Sequence, residues 1–130
     1  MKILVVDDEG IVLDSCERVL NAEGYEVQVV TSAEEALATA EEFAPSLLII
    51  DVKMPVHDGI YIMRELKRKN RRIPVIVMSG LSTEETIEES YNMGANIFLP
   101  KPFTPDELLA AVRQVLAKEA PDGNQESPCD

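Results

Sequence analysis

The chain has 130 residues, and its 12 Lys and Arg residues against 24 Asp and Glu residues give a formal net charge of −12. Hydrophobic residues make up 45% of the chain, which is typical of one folded domain with its own core and excludes a disordered chain. The acidic balance argues against direct binding of nucleic acid, because Lys and Arg on phosphates supply most of that affinity. No apolar run approaches the roughly 20 residues of a membrane span. Without a secretory signal pattern, we expect a cytoplasmic protein whose two cysteines, Cys16 and Cys129, are free thiols.

The first part of the chain predicts strands separated by helices. Residues 3–6 form an unbroken apolar run, as expected of a strand buried on both faces. An apolar helical face follows, formed by Val12, Cys16, Val19 and Leu20. Gly24 provides a stop for this helix, and the alternation over residues 25–30 predicts a half-exposed edge strand. Ser32 and Glu35 have the spacing of a capping box and predict the start of a second helix.

The second part of the chain continues the alternation of strand and helix. Further apolar runs predict strands over residues 47–50, 74–78 and 97–99. A third helix runs through Ile60, Met63, Leu66 and Lys67. Two more capping boxes, Ser82 with Glu85 and Thr104 with Glu107, predict where the fourth and fifth helices begin. The fifth helix has a broad apolar face formed by Leu108, Leu109, Val112, Val115 and Leu116.

The fourth predicted helix, residues 83–93, has the weakest apolar face. Only Ile87 and Tyr91 are expected to be buried, among four glutamates: Glu84, Glu85, Glu88 and Glu89. Few apolar contacts predict a loosely held element. On these residues alone, an ordinary solvated helix is the favoured interpretation.

The order of elements predicts an α/β fold. Five strands alternate with five helices, which indicates a parallel sheet with right-handed crossovers and helices on both faces. We expect one domain over residues 1–118. Residues 119–130 lose the periodicity and read as a flexible tail or the start of a linker.

Residues able to do chemistry follow four of the predicted strands. They are Asp7, Asp8, Asp51, Ser79 and Lys101. In open α/β sheets the binding crevice lies outside the carboxyl ends of the strands, so these side chains are expected to meet at one edge. Singly, each has an ordinary explanation as a helix cap, a turn residue or a surface charge. Together, the carboxylates repel one another and call for a hard cation such as Mg²⁺. Mg²⁺, a lysine and a hydroxyl can hold phosphoryl oxygens beside a carboxylate nucleophile.

The sequence resembles the receiver domain of two-component response regulators. Four segments carry the resemblance: Asp7-Asp8, the D-x-x-M-P-x-x-D-G pattern from Asp51 to Gly59, Ser79-Gly80, and Lys101-Pro102-Phe103. The likeness extends from residue 2 to about residue 118. It implies a flavodoxin-like, doubly wound five-stranded parallel sheet in the order 2-1-3-4-5 with five helices, an order for which the chemotaxis member of this family is a standard example.

The resemblance also implies a role for each matching residue. Asp51 would accept a phosphoryl group from a sensor histidine kinase or a phosphotransfer protein. The ligands of Mg²⁺ would be Asp7, Asp8, Asp51 and the backbone carbonyl of Lys53. Ser79 and Lys101 would bind phosphoryl oxygens, and the Lys101–Pro102 peptide bond would be cis. Phe98 would be the aromatic switch residue that moves inward when Ser79 moves toward the phosphoryl group.

The function implied is a phosphorylation-activated signalling switch of a two-component phosphorelay that turns over no outside substrate. The fourth helix, fifth strand and fifth helix would form its output face. An output domain or a downstream protein, and a second copy after phosphorylation, are the further partners that the family allows. A Mg²⁺-dependent phosphohydrolase with an aspartyl-phosphate intermediate is the alternative, although the chain has no inserted segment to enclose a substrate. A flavin-binding protein is a third reading, which the acidic Asp7-Asp8-Glu9 stretch disfavours.

Two positions depart from the commonest receiver pattern. Lys53 is long and cationic where many members carry a shorter polar residue, and Glu9 adds a third acid after the aspartate pair. We hypothesise that Lys53 pairs with Glu9 at the mouth of the site and affects the access of water to phosphorylated Asp51. A solvated surface lysine explains Lys53 equally well.

Overall fold

The computed structural model describes residues 1–52, 59–69 and 72–118, which contain five strands and five helices in strict alternation. The strands are β1 (Lys2–Val6), β2 (Glu26–Val30), β3 (Leu47–Asp51), β4 (Val75–Ser79) and β5 (Ile97–Pro100). The helices are α1 (Gly10–Ala22), α2 (Ala33–Phe43), α3 (Gly59–Arg68), α4 (Glu84–Asn92) and α5 (Pro105–Lys118). The predicted alternation is therefore confirmed. In the described part of the chain, no helix has the length and apolar character needed to cross a bilayer.

All neighbouring strands pair in parallel, in the order β2-β1-β3-β4-β5, which confirms the predicted topology. Every residue of β3 and β4 is buried, whereas β2, at one edge of the sheet, is only partly covered. A parallel sheet brings the carboxyl ends of all its strands to the same edge. That edge is where the predicted site residues lie.

The core consists of two layers, one on each face of the sheet. Leu4 and Val6 of β1 pack with residues of α2 and α3, while Ile3 and Val5 pack with residues of α1 and α5. Successive side chains of a strand point to opposite faces, so covering both faces requires an unbroken apolar run. This requirement explains the composition of β1, β3 and β4.

The apolar face of α1 includes Leu13, which the prediction omitted, and covers two of the predicted residues only in part. Leu13, Cys16 and Leu20 are buried, whereas the predicted Val12 and Val19 are only partly buried. Cys16 is a free thiol, as expected, and burial raises its pKa to about 11. Cys129 lies outside the described residues.

The prediction of which residues of α4 are buried was wrong. Tyr91 is 47% exposed and Ile87 is only partly buried, while the polar residues Thr86 and Ser90 are 6% and 1% exposed. The Ser90 hydroxyl donates to the carbonyl of Thr86 at 2.8 Å, which satisfies a polar group that would otherwise be costly to bury. The inner face of α4 therefore carries buried hydroxyls where apolar side chains were expected.

The predicted start of α4 was also wrong. Thr83, and not Ser82, is the N-cap residue: its hydroxyl oxygen accepts the N–H of Thr86 at 3.2 Å. The helix thus begins one residue later than the Ser82–Glu85 spacing indicates. The other two capping residues are confirmed, since Ser32 accepts from the N–H of Glu35 and Thr104 from that of Glu107.

Candidate functional site

Backbone pairing fixes the positions of the residues at the carboxyl edge of the sheet. Asp51 and Ser79 are the last residues of β3 and β4, and Asp7 directly follows β1. The Asp7 N–H donates to the carbonyl of Val30 at 3.2 Å, and the Lys101 N–H donates to the carbonyl of Ser79 at 2.9 Å. These bonds continue the strand pairing beyond the strand ends. The structure thereby brings the predicted residues to one edge.

The Lys101 ammonium lies among three carboxylates. Its Nζ is 2.7 Å from Oδ2 of Asp7, 3.1 Å from Oδ2 of Asp51 and 3.1 Å from Oε1 of Glu9. Only 14% of the Lys101 side chain is exposed. The peptide bond between Lys101 and Pro102 is cis, as expected. Lys101 is thus the cation that links the ends of β1, β3 and β5.

Asp7, Asp8 and Asp51 form a cluster that could bind a divalent metal ion. Each offers a carboxylate oxygen, and these atoms lie within 4.8 Å of one another. Asp7 and Asp51 are buried, whereas Asp8 is exposed, so the cluster has one side open to solvent. Oxygen ligands of this kind suit Mg²⁺, which uses one or two carboxylates and keeps water as its other ligands. Lys53, whose backbone carbonyl was the fourth predicted ligand, lies outside the described residues.

The charges at this edge shift the protonation of Asp7 and Lys101. Burial raises the pKa of Asp7 to about 6, although the Lys101 ammonium and the backbone N–H of Glu9, 2.9 Å from Oδ1, favour the ionised form. Partial burial opposes the charge on Lys101, but contacts with the carboxylates of Asp7 and Glu9 and the charge of Asp51 outweigh it and raise the Lys101 pKa. Among the described residues, the site thus holds more negative charge than Lys101 compensates.

Ser79 and Phe98 make their hydrogen bonds away from the carboxylates. Ser79 is fully buried, and its hydroxyl oxygen accepts the N–H of Leu81 at 3.0 Å within its own turn. The ring of Phe98 is partly buried against the core layer of α2 and α3. The Phe98 N–H donates to the hydroxyl of Tyr91 at 3.1 Å.

Two features of the site did not follow from the sequence. The predicted partner of Glu9 was Lys53, which lies outside the described residues, whereas the structure shows Glu9 in contact with Lys101. A crevice of about 730 Å³ opens beside the carboxylates, and its lining includes Asp8, Glu9, Asp51, Leu81, Lys101 and Phe103. The only sign of a role for Glu9 in the sequence was that it adds a third acidic residue directly after Asp7 and Asp8.

Comparisons with known proteins agree with this geometry. The model of the response regulator receiver domain family matches residues 3–113. Response regulator MprA from Mycobacterium leprae is 35% identical over 127 residues, which are 98% of this chain and 56% of that protein. The chain thus spans just over half the length of this relative.

Solved structures show the same fold. A CheY-like response regulator receiver domain protein from Methanospirillum hungatei JF-1 superposes with a TM-score of 0.84 at 31% identity, covering 91% of this chain and 94% of that one. The BeF₃-activated N-terminal receiver domain of RstA from Klebsiella pneumoniae gives a TM-score of 0.83 at 27% identity, covering 89% and 98%. The phosphohydrolase alternative gains no support from these matches. Because the family match runs from β1 into α5 and includes every strand end at the acidic edge, the chain belongs to the response regulator receiver domains, the signalling switches of two-component systems.

Proposed function

We propose that Asp51 is the residue of this receiver domain that accepts the phosphoryl group. One observation carries the proposal: the Asp51 carboxylate is 3.1 Å from the Lys101 ammonium and also belongs to the Asp7–Asp8–Asp51 cluster. As a nucleophile, this carboxylate would act beside the lysine and the proposed Mg²⁺ site, which would both neutralise the charge of a transferring phosphoryl group. Asp51 also lines the open crevice, which gives a phosphodonor access to it.

The proposed reaction transfers a phosphoryl group from a phosphohistidine to an oxygen of Asp51. The new O–P bond forms as the P–N bond of the donor breaks, and the imidazole leaves with the bonding electrons. Lys101 would stabilise the charge on the phosphoryl oxygens. Asp7, Asp8 and Asp51, with the backbone carbonyl of Lys53, would hold Mg²⁺, which neutralises negative charge at the same oxygens when it is bound.

Ser79 and Phe98 are proposed to convert phosphorylation into a change of shape. The Ser79 hydroxyl accepts one hydrogen bond in its turn, and its own O–H can donate to a phosphoryl oxygen. Movement of Ser79 would allow Phe98, on β5, to reorient. The face formed by α4, β5 and α5 would then favour a second arrangement.

Incubation with Mg²⁺ and acetyl phosphate tests the assignment of Asp51. We expect one labile acyl phosphate per chain, lost in Asp51→Asn and kept in Asp14→Asn, which changes an exposed aspartate of α1. Stoichiometric labelling that survives Asp51→Asn would refute the assignment. Rapid, continuous hydrolysis of many phosphate esters would instead favour the phosphohydrolase.

The proposed role of Asp51 also implies a phosphodonor, a cellular location and a domain organisation for the chain. A cytoplasmic histidine kinase or phosphotransfer protein would supply the phosphoryl group. Residues 1–118 would form the receiver domain. Residues 119–130, which lie outside the described residues, would begin a linker to an output domain. The greater length of the MprA relative supports this arrangement. Light scattering with and without beryllofluoride would show whether the activated chain forms a homodimer.

A further inference from the structure

Three carboxylates of the described residues surround the Lys101 ammonium. An ammonium carries three N–H donors and no acceptor. Oxygens of Asp7, Asp51 and Glu9 lie 2.7, 3.1 and 3.1 Å from Lys101 Nζ. Lys101 Nζ donates hydrogen bonds to Asp51 and Glu9, whereas Oδ2 of Asp7 is an ion-pair partner without hydrogen-bond geometry. A phosphoryl group on Asp51 would take over the contact of that carboxylate, and its oxygens would then share Lys101 with Asp7 and Glu9.

Exposure decides which of the other two carboxylates, Asp7 or Glu9, Lys101 can release. The side chains of Asp7 and Asp51 are 0% and 7% exposed, whereas that of Glu9 is 61% exposed. Removing the partner of a buried carboxylate leaves an uncompensated charge in the protein interior, which is strongly destabilising. A released Glu9 carboxylate is solvated by water. Glu9 is thus the partner that Lys101 loses most easily.

The local structure allows the Glu9 side chain to move alone. Its N–H donates to Oδ1 of Asp7 at 2.9 Å, and its carbonyl accepts the N–H of Leu13 at 3.2 Å, so its backbone is held at both groups. Glu9 is the N-cap residue of α1, but its side chain makes no capping hydrogen bond. The carboxylate can therefore leave Lys101 without breaking a cap of α1.

We infer that Glu9 is a positioning residue that competes with the phosphoryl group for the Lys101 ammonium and slows phosphorylation of Asp51. The inference rests on the proposed function of Asp51. In the unphosphorylated chain, Glu9 accepts one N–H of Lys101 and places a negative charge beside the ammonium that the phosphoryl oxygens would bind. Loss of this contact should favour phosphorylation about two- to fivefold, the range of an exposed ion pair.

Two substitutions separate this contact from a general effect of charge. Glu9→Gln removes the negative charge, whereas Glu9→Asp keeps it on a side chain one methylene shorter, which moves it away from Lys101. Glu17→Gln removes the same charge from a different position on α1 and is the matched control. Each variant is first titrated with Mg²⁺, and the measurements are made at a saturating concentration for that variant.

The experiment measures the affinity for beryllofluoride and the initial rate of labelling by acetyl phosphate. We expect both to rise about two- to fivefold in Glu9→Gln and to rise also in Glu9→Asp, with Glu17→Gln unchanged. A merely structural role of Glu9 would change the unfolding midpoint and leave the beryllofluoride affinity unaltered.

Two results would overturn the inference while leaving Asp51 as the acceptor. One is a Glu9→Gln chain that is labelled at Asp51 with the same rate and the same beryllofluoride affinity as the unaltered chain. The other is an increase in Glu9→Gln that is absent in Glu9→Asp, because charge alone would then explain it. Failure of the unaltered chain to label Asp51 would overturn the proposed function together with this inference.

Discussion

The Tyr91 hydroxyl accepts the backbone N–H of Phe98 at 3.1 Å, which joins the exposed side of α4 to the edge strand β5. Among the described strands, β5 pairs only with β4, so an N–H on its outer side has no strand of that sheet as a partner. Tyr91 supplies that partner although its side chain is 47% exposed. The position of α4 is thus tied to the backbone of the proposed switch residue.

Tyr91→Phe should weaken the attachment of α4 to β5 while keeping the ring in place. We expect a loss of roughly 1 kcal/mol in the free energy of unfolding, the contribution of one hydrogen bond, and faster amide exchange at Phe98. Denaturant unfolding and hydrogen exchange measure the two effects. Tyr25→Phe is the control, because its hydroxyl bonds to none of the described residues. Unchanged exchange at Phe98 would show that the bond does not form in solution.

Substitution of the N-cap distinguishes the two possible starts of α4. Thr83→Ala removes the hydroxyl that accepts the N–H of Thr86, and should cost about 1 kcal/mol in the free energy of unfolding. Ser82→Ala should change it by less than about 0.5 kcal/mol, because Ser82 is exposed and does not cap the helix. If Ser82→Ala were instead the more destabilising substitution in denaturant unfolding, α4 would begin after Ser82, as the sequence indicates.

Mg²⁺ should stabilise the folded chain if the aspartate cluster binds it. At a concentration of about 100 times the dissociation constant, the expected gain is roughly 2.7 kcal/mol in the free energy of unfolding. Asp8→Asn should reduce the gain, since Asp8 supplies the exposed carboxylate of the cluster. Asp14→Asn should leave it unchanged. A melting temperature of the unaltered chain that does not respond to millimolar Mg²⁺ would argue against the metal site.

The raised pKa of Asp7 predicts a pH dependence of stability in the absence of divalent ions. The folded chain holds the Asp7 proton up to a pKa of about 6, whereas the unfolded chain releases it near 3.8. Protonated Asp7 therefore favours folding below this range, and the benefit is lost as the pH rises through it. Asp7→Asn does not titrate, so its stability relative to the unaltered chain should increase by about 2 kcal/mol between pH 4 and pH 7.

Urea unfolding in the presence of a chelator, at several pH values, measures this difference. Asp14→Asn is again the control, because its curve should run parallel to that of the unaltered chain. Parallel curves for Asp7→Asn as well would show that the Asp7 carboxyl titrates normally in the folded chain.

The topology was predictable because it depends on patterns that extend along the chain. Unbroken apolar runs such as residues 47–50 report burial on both faces of a sheet, and their alternation with helical segments implies parallel strands. The aspartates and the lysine could be assigned to one edge because each directly follows a strand. Their resemblance to the receiver pattern supplied the order of the strands.

The errors arose where burial depends on a hydrogen-bond partner. Thr86 and Ser90 were not expected to be buried, but each hydroxyl has a partner one helical turn earlier: Thr86 bonds to the hydroxyl of Thr83, and Ser90 donates to the carbonyl of Thr86. Tyr91 was expected to be buried because its ring is apolar. The contact between Glu9 and Lys101 joins two residues that are 92 positions apart in the sequence, so no local sequence pattern could predict it.

The ion pairs of Lys101 also set when the acidic edge can be assembled. Lys101 lies 92 positions after Glu9 and 50 positions after Asp51, so these contacts close very long loops. A growing or shortened chain that stops before β5 has the carboxylates but lacks the ammonium that compensates them. On the proposed function, a polypeptide that ends before β5 would therefore lack the ammonium needed to accept a phosphoryl group.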